Sequence, residues 1–243
     1  MNTADRYVDD VMRNVFAVAE DRDRLQADLR SHFSEGEAEG RTPRQVIAGL
    51  GTPEEVAAAF NAERELDYAS FWQRLVAFFG DAGLLMCLVL PVLGLGLMAG
   101  VVGEEPGDIA IVWLIPFGLL FLAILGLGIF YFPLLEAHYG KTLGKRLMRL
   151  RVVRETGSPI GLGQAFVRRL SFYFDMLWVD ALFIFFTDKN QRALDIVAKT
   201  VVAQEPGKRT PGWAWVVCLL LPAAAMCCLL CLIALFGPAC QVS

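Results

Sequence analysis

The chain alternates two kinds of pattern. Over the first seventy residues apolar positions recur at helical spacing between charges; beyond them apolar residues run continuously for membrane-spanning lengths. Tyr7, Val8, Val11, Met12, Val15, Phe16 and Ala19 form one i, i+3, i+4 stripe. Leu25, Leu29 and Phe33 continue it beyond the charged turn Asp21-Arg22-Asp23, and Gly40 is a stop signal. Thr42-Pro43-Arg44-Gln45 then reads as N-cap, proline at N1 and glutamine at N3. Gly51 ends that helix, and Thr52-Pro53-Glu54-Glu55 restarts one carrying Val56, Ala59, Phe60 and Leu66. Four short helices around a small core are expected.

Ala82–Val102, Ile109–Leu135 and Trp213–Ala239 carry no charge. A hydrocarbon core about 30 Å thick needs roughly 20 helical residues, so each is expected to span. Pro91, Pro116 and Pro222 are candidate kinks, and Gly94-Leu-Gly96 and Gly126-Leu-Gly128 are candidate close-packing surfaces. Leu170–Thr187 is apolar but contains Asp175 and Asp180. It reads either as one tilted span or as a re-entrant hairpin.

Charge sharpens this division. Residues 1–70 hold eight arginines, no lysine and fifteen acids, whereas the remainder holds fourteen bases and eleven acids. An acidic soluble module followed by a membrane module is expected, with mean hydropathy +0.48 overall. The acidic module argues against nucleic-acid binding. The segment Gly103–Asp108 has no base, while residues 137–169 are rich in them, so the positive-inside rule places that loop and the N-terminus in the cytoplasm. The charged first thirty residues contain no cleavable leader, so the first span is expected to target the chain to the inner (cytoplasmic) membrane as a multi-pass protein.

Candidate chemistry lies in charges at membrane depth: Arg74 and Asp81, then Arg168, Arg169, Asp175 and Asp180. Such groups cost roughly 2.5–3.5 kcal/mol on insertion scales and are usually paired. Both Arg74/Asp81 and Arg168/Asp175 are seven apart, beyond a simple i,i+4 pair. Cross-pairing, Arg74 to Asp175 and Arg168 or Arg169 to Asp81, is one arrangement; snorkelling of the arginines to headgroups is another. A cation or proton path through Asp81, Asp175 and Asp180 is the functional alternative to a packing role. The repeated Arg-x6-Asp among aromatics (Phe78-Phe79; Phe172-Tyr173-Phe174) hints at an internal duplication.

Other chemistry finds little support. Cys228-Leu-Leu-Cys231 has redox spacing but lies in a membrane-type helix, where cysteine acts as a small hydrophobe. His32 and His138 stand apart, and no metal spacing or cofactor fingerprint is present. Tyr139-Gly140-Lys141-Thr142 resembles the tail of a phosphate loop, but that motif needs glycine where Leu135 stands. No enzyme motif is found, and no cofactor is expected.

Two family resemblances follow from these residues. Leu50-Gly51-Thr52-Pro53-Glu54-Glu55-Val56-Ala57, after Gly40-Arg41-Thr42, resembles the HAAS-type helical module at the cytoplasmic N-terminus of bacterial membrane proteins. Phe71-Trp72-Gln73-Arg74 with Asp81 resembles the opening motif of the RDD family. Gly140-Lys141-Thr142-Leu143-Gly144-Lys145-Arg146-Leu147 resembles its central loop, followed by Arg151-Val152-Val153 and Thr156-Gly157. Arg169 and Asp175 fit the third block; Asn190-Gln191-Arg192, Asp195, Ala198 and Thr200-Val201-Val202 fit the closing one. In the closing block the family usually has Gly or His before the Asp and Gly before the Thr; here Leu194 and Lys199 take those places, which argues against a tight backbone turn.

The expected fold class is all-α: a polytopic membrane helical bundle with three or four membrane-embedded segments and a small cytoplasmic helical domain. The boundaries are 1–67 for the HAAS-like domain, 68–204 for the RDD membrane domain, and 205–243 for an additional C-terminal transmembrane helix. The resemblance implies a transport-related channel or carrier for a small cation or solute, with proton coupling as one form. The alternative is a non-transporting signalling, scaffold or assembly protein using the N-terminal domain as a docking module. Expected partners are the bilayer, anionic headgroups beside the basic loop 141–154, and a cytoplasmic protein bound by the N-terminal domain; a homo-oligomer is compatible with the sequence.

Overall fold

Helix α1 (Thr3–Asn14) is stapled into the N-terminal core by the stripe the sequence predicts: Tyr7, Val8, Val11 and Met12 are all buried. The computed structural model describes residues 2–102, 108–173, 183–184 and 186–236. Helices α2 (Ala19–Ala38), α3 (Pro43–Leu50) and α4 (Pro53–Ala62) complete the N-terminal group. Leu29, Phe33, Val46 and Ala57 join α1 in one core, with Tyr7 edge-on to Phe33 at 5.8 Å. Both expected capping boxes form. Thr42 N–H donates to Gln45 Oε1 at 2.8 Å, and Thr52 N–H donates to Glu55 Oε2 at 2.8 Å.

Two details differ from the expected stripe. The helix stops at Asn14, and Val15–Val18 is extended chain, so Phe16 leaves the helical face and packs elsewhere. Asp21-Arg22-Asp23 lies inside α2 rather than in a turn. Arg22 explains the break: its guanidinium donates to the carbonyls of Met12 (2.7 Å) and Val15 (2.6 Å), satisfying the end of α1.

Beyond residue 70 come α5 (Phe71–Val102), α6 (Asp108–Tyr139), α7 (Leu143–Leu147), strand β1 (Leu150–Arg154), α8 (Leu162–Tyr173), α9 (Ala193–Val197), strand β2 (Thr200–Gln204) and α10 (Gly212–Phe236). The chain is mostly helical, as expected, with one addition. Two apolar motif blocks pair as an antiparallel ribbon, from Leu150 opposite Gln204 to Arg154 opposite Thr200. Tyr68 bridges Ala203 on the outer edge of β2, and Pro159 bridges Val153 on the outer edge of β1.

Packing resolves two compact units built from non-consecutive stretches. The first comprises Met1–Ala69, Glu136–Gly140 and Arg149–Arg209; the second comprises Ser70–Leu135, Lys141–Met148 and Thr210–Ser243. In the first, Phe16 packs with Val153, Val201 and Ala203, flanked by Leu66 and Tyr68. The α1–α2 connection and the strand pair thus share apolar contacts. In the second, α5 and α10 approach closely at small residues: a β-carbon on Gly80 would lie 2.7 Å from Cys218 Sγ, and one on Gly83 2.7 Å from Pro222. Gly212–Cys231 is a helix long and apolar enough to cross a membrane, with mean hydropathy 2.4.

A repeat emerges in the backbone. Beyond residue 70 the described residues with positive φ occur as Gly140 and Asn190, Arg149 and Lys199, and Gly157 and Gly207, each pair offset by 50. The same offset relates α7 to α9, β1 to β2, and the starts of α8 and α10. Hydrogen bonds follow it: Met148 N–H donates to Gly144 O and Ala198 N–H to Leu194 O, both at 3.0 Å. Glu205 N–H donates to Arg149 O (2.8 Å), and Glu155 N–H to Lys199 O (3.2 Å). Val152 faces Val202, its own counterpart, so the strands pair about a local two-fold axis. Lys199, at φ +52, makes the tight turn that its side chain argued against.

Candidate functional site

Among the described residues, two of the predicted charges, Asp81 and Arg168, are each the centre of a bonded cluster, one in each unit. In the second unit the centre is Asp81, on α5 and only 2% exposed. Helix α5 starts where Ser70 and Gln73 cap each other: Ser70 N–H donates to Gln73 Oε1 at 2.9 Å, and Gln73 N–H donates to Ser70 Oγ at 3.3 Å. Arg74 follows within the first turn and is buried at 4% exposure. One Asp81 oxygen accepts the hydroxyl of Thr142 at 2.5 Å; the other accepts the Gly144 amide at 2.7 Å, with Tyr131 Oη at 3.5 Å.

The Gly140–Lys145 motif is therefore a docking loop. Thr142 Oγ1 donates to Asp81 while accepting the Lys145 amide at 3.4 Å, so it also caps α7. Gly144 is required by contact: an added β-carbon would lie 2.0 Å from Ala77 O. Nearby, Thr210 Oγ1 donates to Met148 O at 2.8 Å and accepts from Gln73 Nε2 at 3.3 Å, tying the start of α10 to α7 and α5. Lys141 and Lys145 are half-buried.

Within the first unit the centre is Arg168, on α8. Its Nε donates to Asp195 Oδ1 at 2.8 Å, and one terminal nitrogen lies 3.7 Å from Glu136 Oε2. All three side chains are buried. Asp195 also accepts the Arg192 amide at 3.3 Å, capping α9, and its carbonyl accepts the Thr200 hydroxyl at 3.3 Å. Gln191 Nε2 donates to Thr200 O (3.0 Å) and to Glu155 Oε1 (2.9 Å). That bond from Gln191, followed by the Lys189 ammonium at 3.4 Å, holds the Glu155 carboxyl below its ordinary value against the opposing effect of burial. Gln164 joins the cluster, donating to Ala198 O at 2.8 Å and accepting from Arg154 Nε at 3.2 Å.

The structure thus gives Arg168 the partners Asp195 and Glu136, and gives Asp81 the partners Thr142, Gly144 and Tyr131. Arg169 is half-buried beside Arg168. Asp175 and Asp180 lie outside the described residues, and with them the pairing of Arg74 to Asp175. Sequence reasoning missed Glu136, Tyr131 and Gln164. Glu136 carried a signal, being the acid nearest the end of α6 before a basic loop; the other two lacked one.

A third feature belongs to the first unit. Asn61, 4% exposed, accepts the Phe16 amide at 2.9 Å and donates to the carbonyls of Asn14 (3.0 Å) and Thr156 (2.8 Å). Gly157 is fixed beside it, with φ +79 and room for no β-carbon: one would lie 2.6 Å from Asn61 Nδ2. On the same unit an open groove of about 540 Å³ is lined by Phe16, Asp21, Arg64, Leu66, Glu205 and Lys208, among others.

Residues 68–199 match the RDD family, and residues 6–59 match HAAS. No curated protein and no solved structure matches the chain. The residues bonded in both clusters fall within the first match or at its edge, and that match covers more than half of the sequence: the chain belongs to the RDD family.

Proposed function

We propose that this RDD protein is a multi-pass protein of the cytoplasmic membrane with a cytoplasmic N-terminus, serving as a docking platform in signalling or assembly. The observation that carries this reading is Asn61. It bonds the HAAS-type helices to the Thr156 turn after β1, while Phe16 enters the apolar face of the strand pair. A partner binding the N-terminal helices would therefore pull directly on the strand ribbon, and the groove lined by Phe16, Asp21 and Arg64 offers it a seat. Three crossings are supported by the length of α5 and α6, 32 residues each, or about 48 Å at 1.5 Å per residue, and by the apolarity of α10. The basic residues of 137–169 support the orientation.

Asp81 supports a role without transport, because both oxygens already accept short hydrogen bonds from the docking loop. The second reading, transport of a small cation or solute, rests on the same residue: Tyr131, Asp81 and Thr142 form a string of exchangeable protons.

Flux across proteoliposomes containing the full chain separates the two. The docking reading expects no proton or alkali-cation flux above protein-free vesicles, together with a discrete cellular adduct from a photo-cross-linker placed at exposed Arg30 of α2. Flux that Asp81→Asn abolishes would establish transport and overturn it.

A further inference from the structure

We infer that the two flanks of the apolar stretch, residues 150–173 before it and 186–204 after it, lie on one side of the membrane, and that the exposed apolar surface of α8 and α9 rests on an anionic phospholipid leaflet. Before the stretch come β1, Gln164 and Arg168; after it come Asp195, Ala198 and β2. Gln164 bonds Ala198 at 2.8 Å, Arg168 bonds Asp195 at 2.8 Å, and β1 pairs with β2 along its whole length. A crossing would hold the two flanks about 30 Å apart, on opposite faces of the bilayer. Flanks bonded to each other at three successive levels share one face.

The fifty-residue repeat agrees with this arrangement. Residues 190–209 repeat 140–159, and the first copy follows the α5–α6 pair. In each copy the same pattern of positive-φ residues leads the chain into its strand of the ribbon.

What covers the surface follows from its composition. Leu162 and Leu170 on α8 and Ile196 and Val197 on α9 are exposed, as are Phe183 and Phe186 nearby in sequence, with Phe186 84% and Val197 68% accessible. Arg192 and Lys199 bracket α9 at its two ends. Apolar side chains between bases are the composition of a segment lying in the interface of an anionic leaflet. The surface is also continuous in sequence with the membrane-length stretch itself. This rests on α5, α6 and α10 crossing the membrane, and not on the docking role.

The test uses the full chain retaining only the buried Cys218, with single cysteines at Asn2, Glu105, Lys208 or Val197. An impermeant maleimide applied to intact cells is expected to label Glu105→Cys. Asn2→Cys and Lys208→Cys should label only after permeabilisation. Labelling of Lys208→Cys from outside overturns the same-side topology, whereas failure at Glu105→Cys instead removes the crossing of α5 and α6 on which it rests. In proteoliposomes, an environment-sensitive fluorophore at Val197→Cys is expected to be quenched by brominated phospholipid more strongly than one at Lys208→Cys. The difference should grow with anionic lipid and shrink in a Lys199→Glu background. Equal quenching at both positions, or a chain-to-chain cross-link at Val197→Cys indifferent to lipid, overturns the leaflet contact.

Discussion

The side-chain amide of Asn61 reaches the carbonyl of Thr156 at 2.8 Å while its oxygen holds the Phe16 amide at 2.9 Å. One buried residue thus ties the end of α4, the α1–α2 connection and the turn after β1. Asn61→Leu leaves these backbone groups without partners, each costing about 1–3 kcal/mol when buried. The expected loss is about 2–4 kcal/mol. It is read as a lowered unfolding midpoint and as faster amide exchange in both α1 and β1. Exchange confined to α1 would show that the two parts are not coupled.

Asp81→Asn replaces two acceptor oxygens by one and sets an amide donor against a hydroxyl or an N–H. Loss of about 1–3 kcal/mol is expected, with Thr142 or Gly144 released. Gly144→Ala should be more severe, since its β-carbon would occupy space 2.0 Å from Ala77 O. Limited proteolysis across residues 141–148 reports both; an unchanged cleavage rate in Gly144→Ala would contradict the docked loop.

Lys199 holds a left-handed conformation at φ +52. That costs a residue bearing a β-carbon about 1–2 kcal/mol, and glycine gives back about 0.5–1 kcal/mol through its freer unfolded chain. Lys199→Gly is therefore expected to raise stability slightly, by up to about 1 kcal/mol. Gly140→Ala is expected to do the opposite, having φ +70 and Arg151 Nε 2.9 Å from the new carbon. Thermal unfolding of the pair, run side by side, checks the signs.

Glu155 is held below the ordinary glutamate value by Gln191 and then Lys189. Its contribution is present above the unfolded-state value and is lost as pH falls through the lowered folded-state value. The group is partly exposed, so the contribution stays below about 1 kcal/mol. Glu155→Gln should therefore lower stability at neutral pH by less than about 1 kcal/mol and flatten the acid limb, leaving stability at the lowest pH almost unchanged.

The helical stripe over Tyr7–Met12 and both threonine capping boxes were legible because spacing and cap chemistry are local. The RDD blocks were legible as motifs, yet their pairing into strands was not: Arg151-Val152-Val153 and Thr200-Val201-Val202 are too short for a periodicity to emerge, and each becomes a strand only against the other. Phe16 shows the same limit. It fits the helical stripe by spacing, but Arg22 ends the helix before it and the strand ribbon claims its ring. Lys199 misleads for another reason, since surrounding bonds impose a backbone that its side chain disfavours.

The antiparallel ribbon has one further consequence. Because Val152 stands opposite its own fifty-residue counterpart, the pairing is self-complementary in geometry. Two newly made chains could join β1 to β1 in the same register before either β2 has been synthesised. Such an exchanged dimer would satisfy the ladder while leaving both second strands unplaced. In such an exchange Thr200–Gln204 and a neighbouring chain's β1 compete for the same edge of Leu150–Arg154.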